Sequence, residues 1–226
     1  MDGEDFPLYV IIVGLSGVGE SLARTLINRG HTVAIIDKNE DRCNTFASEV
    51  DALVICGDAG DKENLDNAGA DKADALVVAT GDDSVNLMVG SLGKEFKIPH
   101  LISVVRDPEH IQLFSKIGTT ITPDEIVAEH LYQSLFRIRD FLLLGDKEAE
   151  IFTLKVEKNS KVVNKPASEL HLPNGYTILG IFRKGKLSPL SKDLSIQPDD
   201  EVLIHANKLD GIKKIVEMFT GKLETH

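Results

Sequence analysis

A chain of 226 residues, 42% apolar and 27% charged, has the composition of a soluble globular protein with room for one ordinary domain and a small companion, which excludes disorder and low complexity. No stretch approaches the run of about 18 apolar residues that a spanning helix needs, and the first six residues carry three acids where a signal peptide has a basic start, so the cytosol is the expected compartment. The formal charge of −11 is uneven, with 12 basic and 24 acidic side chains in residues 1–145 against 13 and 12 in residues 146–226; an acidic first half argues against non-specific nucleic-acid binding, which needs clustered Lys and Arg.

The first predicted element is a buried strand over 9–13 that runs into the turn Gly14-Leu15-Ser16-Gly17-Val18-Gly19 and then into a helical pattern over 17–29. Gly14 allows a tight exit from the strand, and Gly19 lets the helix lie close against the sheet. A second apolar run, Thr32–Ile36, closes on Asp37, where a dinucleotide-binding fold places the acid that accepts ribose hydroxyls. The middle glycine of the usual pattern falls at Ser16, whose side chain narrows the approach of backbone amides to a pyrophosphate, and Gly17 restores part of that space. Glu20, in the first turn, suits the helix dipole but repels a phosphate placed there.

Further strands are predicted at 52–56, 74–79, 100–104 and 119–122, with helices over 39–49, 61–69, 82–96 and 108–117, several preceded by Asp or Asn as caps. Six parallel strands with intervening helices make a Rossmann-like, doubly wound α/β sheet whose ligand crevice lies at the carboxyl ends of the strands. Those ends read Gly14 to Gly19, Asp37-Lys38, Gly57-Asp58-Ala59, Thr80-Gly81-Asp82-Asp83 and Arg106-Asp107. Together they suit an adenosine moiety and its phosphates, although Asp82 or Asp83 alone reads as a helix cap. After Pro123, apolar Val127, Leu131, Leu135, Ile138 and Leu142 at spacings of three and four predict one long helix over 124–144, ending in a cluster, Phe141–Leu144, that needs a cover.

From a polar hinge at Asp146-Lys147-Glu148 the pattern changes to alternation: strands over 151–156, 176–182, 186–188 and 201–206, with a hairpin signal at Arg183-Lys184-Gly185, precede a helix carrying Ile212, Ile215, Val216 and Phe219. The expected domains are therefore 1–145, including the crossover helix, and a small α+β module over 146–226. Cys43 and Cys56 lack a CxxC spacing, and reduced thiols are the expectation; the seven scattered histidines form no HxxxH or HExxH pair, so no metal site is expected, and a cation at Asp199-Asp200-Glu201 competes with a simple turn.

These motifs resemble the regulator-of-potassium-conductance (RCK) family, which includes the cytosolic subunits of Trk and Ktr potassium-uptake systems and the gating rings of some potassium channels. The resemblance runs from about Tyr9 to Phe219 and rests on the glycine turn, Gly30-His31-Thr32-Val33 leading to Asp37, Gly57-Asp58-Ala59, Ala79-Thr80-Gly81-Asp82-Asp83, Asn86-Leu87, Arg106-Asp107-Pro108, Ile117-Gly118, and in the second domain Asn174–Ile181 and Gln197-Pro198-Asp199-Asp200. It implies a cytoplasmic regulatory subunit, not an enzyme, held at the inner face of the plasma membrane through a separate potassium-translocating chain. Binding of ATP, ADP, AMP or NAD(H) would rearrange a homo-oligomer, a dimer or ring of dimers. Carried over by position, the nucleotide contacts would be Gly14, Ser16, Gly17, Val18, Gly19, Asp37, Lys38, Gly57, Asp58, Ala59, Thr80, Gly81 and Arg106. Asp37 would meet the ribose, Gly57-Asp58-Ala59 the adenine, Thr80 the sugar and Arg106 the phosphates. Many members have Gly at position 16 and Arg at 17, where this chain has Ser16 and Gly17. Two other readings of the same residues are an NAD-dependent oxidoreductase, for which no general acid or base better than His110 is apparent, and an interaction module whose crevice has decayed.

Overall fold

The computed structural model describes residues 6–135, 138–144, 149–192, 194–207 and 211–221. The chain divides into two compact units, Met1–Ile126 and Val127–His226, each taken by itself.

In the first unit, β1 (Tyr9–Val13), β2 (Thr32–Asp37), β3 (Leu53–Cys56), β4 (Ala75–Val78), β5 (His100–Val104) and β6 (Thr119–Ile121) form one sheet in the order β3-β2-β1-β4-β5-β6. Every neighbouring pair is parallel. Successive side chains of a strand point to opposite faces: Ile11 and Val13 join Ala34, Ile36, Leu76 and Val78 in one core, while Val10 and Ile12 join Val33, Ile35 and Val77 in another. This double burial is why the strands read as continuous apolar runs instead of alternating ones. The connections are α1 (Val18–Asn28), α2 (Glu40–Glu49), α3 (Lys62–Asn67) and α4 (Asp83–Glu95), then a 3-10 turn at Pro108–His110 leading into a short helix, α5 (Ile111–Phe114). The strand order reverses between β1 and β4, the topological switch point at which this fold opens a crevice.

The helix expected over 124–144 is corrected: α6 covers Pro123–Leu135, and Ile138–Leu144 is a strand, β7. It pairs antiparallel with β8 (Ala149–Lys155), joining Ile138 to Leu154 and Leu142 to Ile151. The register shift leaves Asp140 and Phe141 opposite Phe152 alone, a bulge in which Asp140 takes φ 45° and its carboxylate accepts the Thr153 hydroxyl at 2.9 Å. A short apolar run fits helix and strand equally well until a partner edge is known. Residues 127–144, expected with the first domain, are thus counted with the second unit, and the proposed hinge at 146–148 lies outside the described residues.

The second unit adds β9 (Tyr176–Arg183), β10 (Lys186–Pro189), β11 (Glu201–Ala206) and α7 (Ile212–Thr220), giving a sheet in the order β10-β9-β11-β8-β7. Lys184 and Gly185 both take positive φ, 53° and 76°, as a two-residue hairpin requires. Its core joins Phe152, Leu154, Val202 and Ile204 of the sheet to Ile212, Ile215, Val216 and Phe219 of α7.

Candidate functional site

The ends of β1, β2, β3 and β4 enclose a cleft of about 520 Å³. Its first wall is the glycine turn. Gly14 takes φ +103°, and a Cβ there would stand 2.7 Å from the Ala79 carbonyl oxygen; a Cβ on Gly19 would stand 1.9 Å from the Gly14 carbonyl oxygen. Both glycines are therefore required by backbone approach, the first between β1 and the β4 exit and the second between α1 and the turn.

Asp37 is the pivot of the cleft. Its buried carboxylate accepts Leu15 N–H at 2.6 Å on Oδ2 and Asn39 N–H at 2.8 Å on Oδ1, so one side chain fixes the glycine turn and the start of α2. Each carboxylate oxygen keeps further acceptor capacity, which is what a ribose diol needs. Arg42, one turn into α2, brings Nη1 to 3.9 Å from Asp37 Oδ2 while staying half exposed at the cleft.

The opposite wall is set by Asn86, which is buried on α4. Its amide donates to the Val104 carbonyl at 2.8 Å, and its oxygen accepts Thr80 N–H at 3.1 Å and the Thr80 hydroxyl. At the outer rim, Gly57 N–H donates to the Asp37 carbonyl at 3.0 Å, and the Asp58 carboxylate accepts Gly60 N–H at 2.8 Å.

Helix capping divides the helices in a way that bears on anions. Asn39, Asp61 and Asp82 cap α2, α3 and α4 with their own side chains, whereas α1 starts at Gly17, which has no side chain to offer its first-turn amides. An uncapped helix start beside a cleft is a place for phosphate oxygens. Glu20 does not project a bare charge there: its carboxylate accepts Arg24 Nε and Nη2 at 3.0 and 2.9 Å, and Arg24 also pairs with Glu49.

Of the expected contacts, Gly14, Ser16, Asp37, Lys38, Gly57, Asp58, Ala59, Thr80 and Gly81 line the cleft. Gly17 and Val18 are exposed on the turn, and Gly19 is buried in helix packing. Arg106 lies in an adjoining cleft of about 490 Å³ that shares Gly81 and Asp82 with the first. Sequence reasoning missed Val13 and Ile36, the last apolar residues before two strand ends, together with Asn39, Arg42 and Val85, and named Asp82 in a crevice loop but not as a contact. Asn39 and Asp82 were legible as caps, but that a cap also borders the crevice depends on how the strands align.

In the adjoining cleft the Asp83 carboxylate accepts Arg106 N–H and Asp107 N–H, both at 3.0 Å, and meets His110 Nδ1 at 2.9 Å. Burial alone would raise this carboxyl, but the Arg106 amide, His110 and the Asp107 amide together hold it below its ordinary range. The hydrogen bond to Asp83 in turn raises the His110 imidazole against slight desolvation, helped by the charges of Asp107, Asp83 and Glu109.

The model of the TrkA-N domain matches residues 10–127, and that of the TrkA-C domain residues 151–219. The chain is 35% identical over 218 residues to a Trk system potassium uptake protein TrkA homolog of Methanothermobacter thermautotrophicus, covering 95% of this chain and 100% of the relative. It is 28% identical over 204 residues to the Trk system potassium uptake protein TrkA of Mycobacterium tuberculosis, covering 87% and 92%. Among solved structures, the GsuK channel bound to NAD superimposes with a TM-score of 0.65 at 18% identity, over 99% of this chain and 41% of that one. The Kef CTD of Shewanella denitrificans in its AMP-bound form gives a TM-score of 0.50 at 24% identity, over 56% and 79%. These two likenesses carry the fold. Matched in both halves by models of one family and along nearly all its length by a relative of that family, the chain belongs to the TrkA family of potassium uptake proteins.

Proposed function

We propose that the chain is the nucleotide-binding regulatory subunit of a potassium uptake system, in which an adenine nucleotide in the strand-end cleft biases the packing of several copies against a separate membrane translocator. The observation that carries this reading is Asp37, a buried carboxylate held by two backbone amides in the switch-point cleft, one of them from the glycine turn that leads into a helix start without a side-chain cap. That arrangement suits a ribose at one end and phosphate at the other. A carboxylate at the ribose disfavours a 2′-phosphate, so NAD(H), ATP, ADP and AMP are the candidate ligands and NADP is not. The names of the relatives and the nucleotides held by GsuK and the Kef domain support the same class. We place Gly14, Ser16 and the amides of Gly17 and Val18 toward the phosphates, with Gly19 packing α1 against the turn behind them, Asp37 and Lys38 at the ribose, and Gly57, Asp58 and Ala59 at the base. Thr80 and Gly81 take the sugar on the facing wall, and Arg106 reaches in from the adjoining cleft. The role is a switch rather than a catalyst, and the oligomer and the translocator belong to this proposal.

Thermal melting with each nucleotide tests the reading, since a ligand at 100 times its dissociation constant adds about 2.7 kcal/mol to the native state. A shift with at least one adenylate that is cut to about half or less in Asp37→Asn is the expected result. The substitution removes the charged acceptor and weakens affinity by about tenfold or more, measured by calorimetry. An unmoved melting curve with every adenylate, or turnover of NADH with any substrate, would overturn it.

A further inference from the structure

Two cysteines meet behind the outer wall of the cleft, and the nucleotide reading uses neither. Cys43, on α2, is buried, and its thiol donates to the Asp37 carbonyl at 3.2 Å and lies 4.0 Å from the Ile55 carbonyl oxygen. Cys56 ends β3 next to Ile55, in parallel register with Asp37, and is exposed. The Cys43 thiol thus reaches both the residue before Cys56 and the register partner of Cys56, which sets the two cysteines side by side between α2 and β3, though thirteen positions apart in sequence. Burial first, and then the Cys56 thiol, pushes the Cys43 thiol up to about 12, so the exposed Cys56 is the sulfur that meets an oxidant first.

Their placement gives the pair a mechanical connection to the cleft. Asp37 is the ribose-side acid, and its carbonyl holds both the Cys43 thiol and Gly57 N–H. Cys56 immediately precedes Gly57-Asp58-Ala59, the rim segment that lines the cleft. A disulfide needs its sulfurs about 2.05 Å apart, closer than any hydrogen-bonded pair, so forming one draws the start of the rim toward α2.

We propose that Cys43 and Cys56 form a reversible dithiol–disulfide site, oxidised by hydroperoxides, whose closure shifts the rim of the cleft and weakens nucleotide binding. The Cys56 sulfur takes one oxygen from the peroxide to give a sulfenic acid, and water or alcohol leaves. The Cys43 sulfur then attacks that sulfur, the S–S bond forms, the S–O bond breaks, and the Cys43 proton leaves with the hydroxyl as water. Two electrons pass from the two sulfurs to the peroxide, and a small dithiol returns them. Disulfides in reducing compartments are characteristically transient and redox-sensing, which fits an exposed cysteine backed by a buried partner. The effect on affinity rests on the nucleotide reading above; the bond itself does not.

The test uses the full chain. Reduced protein is treated with hydrogen peroxide, blocked with an alkylating reagent and analysed by intact and peptide mass spectrometry. The expected result is loss of two hydrogens, no alkylation, a Cys43–Cys56 peptide linkage within one chain, and recovery of two alkylatable thiols after a dithiol. Two thiols still alkylated, Cys56 carried on to sulfinic acid, or linkage only between chains would each overturn the site. Calorimetry with ADP on both forms then reads the coupling, expected as a loss on the order of fivefold in affinity on oxidation. Cys56→Ser, which cannot close the bond, keeps the reduced affinity under peroxide; equal affinities of the reduced and oxidised wild type would overturn the coupling. If reduced protein binds no adenylate while the disulfide forms, the nucleotide reading fails and the redox site stands.

Discussion

At the scale of single residues, the glycine turn separates positions that need glycine from those that only hold one. Gly19→Ala forces a Cβ against the Gly14 carbonyl, a backbone atom that has no room to move. The substitution is expected to cost about 1–3 kcal/mol or more in denaturant unfolding. Gly81, also on the cleft, has ordinary φ and nothing within 4 Å of the added atom, so Gly81→Ala should change stability by less than about 0.5 kcal/mol. The Asp83–His110 pair makes a prediction with a sign. The His110 imidazole is raised above 6.5, so its contribution to stability is complete below that value and is lost as pH rises through the raised one. The Asp83 carboxyl is lowered below 3.8, so its contribution is complete above that value and is lost as pH falls through the lowered one. An NMR titration should find His110 above its ordinary value in the native protein and close to it in Asp83→Asn. An unshifted His110 in the native protein would remove the pair from the account.

At the scale of elements, α1 to α4 and all six strands of the first sheet were legible from periodicity, with which the caps of α2, α3 and α4 agree. Asn39, Asp61 and Asp82 carry the caps that their sequence positions advertise. The stretch over 138–144 was not legible. Ile138 and Leu142 continue the helical spacing of α6, and only the edge of β8 turns them into a strand. In the second unit, Asp199-Asp200 looked like a turn before a strand, with a cation as the rival. The turn is there, at residues 198–199 ahead of β11, and Asp200 beside it is buried and clamped by Arg183 through Nε and Nη2 at 2.8 and 2.9 Å, while accepting Gln197 N–H at 2.7 Å. Removing one member strands a buried charge. Arg183→Ala is therefore expected to lower stability by about 3 kcal/mol, at the low end for buried pairs because the arginine is partly exposed. Thermal melting of Arg183→Ala against Lys155→Ala, whose partner Asp199 is exposed, separates the buried pair from the surface one.

At the scale of the whole molecule, the function proposed is a change in how copies pack, so light scattering or small-angle scattering with and without a bound adenylate should report a different size or shape. A solitary chain unchanged by ligand would leave the cleft without a mechanical output. Much of this was written in the order of residues: strand, glycine turn, helix, strand and acid dictate a parallel sheet because each local pattern has one way of burying its apolar face. Sequence alone determined the architecture, the place of Asp37 as the acid that closes β2, and the gathering of strand-end loops at one edge of the sheet. Tertiary structure decided what distance along the chain cannot encode. It set Asp37 as a clamp on the glycine turn, gave Glu20 to Arg24, placed Arg106 beside the cleft instead of in it, and brought Cys43 against Cys56. Periodicity fixes which face of an element is buried, whereas the meeting of side chains from different elements depends on how those faces align once packed.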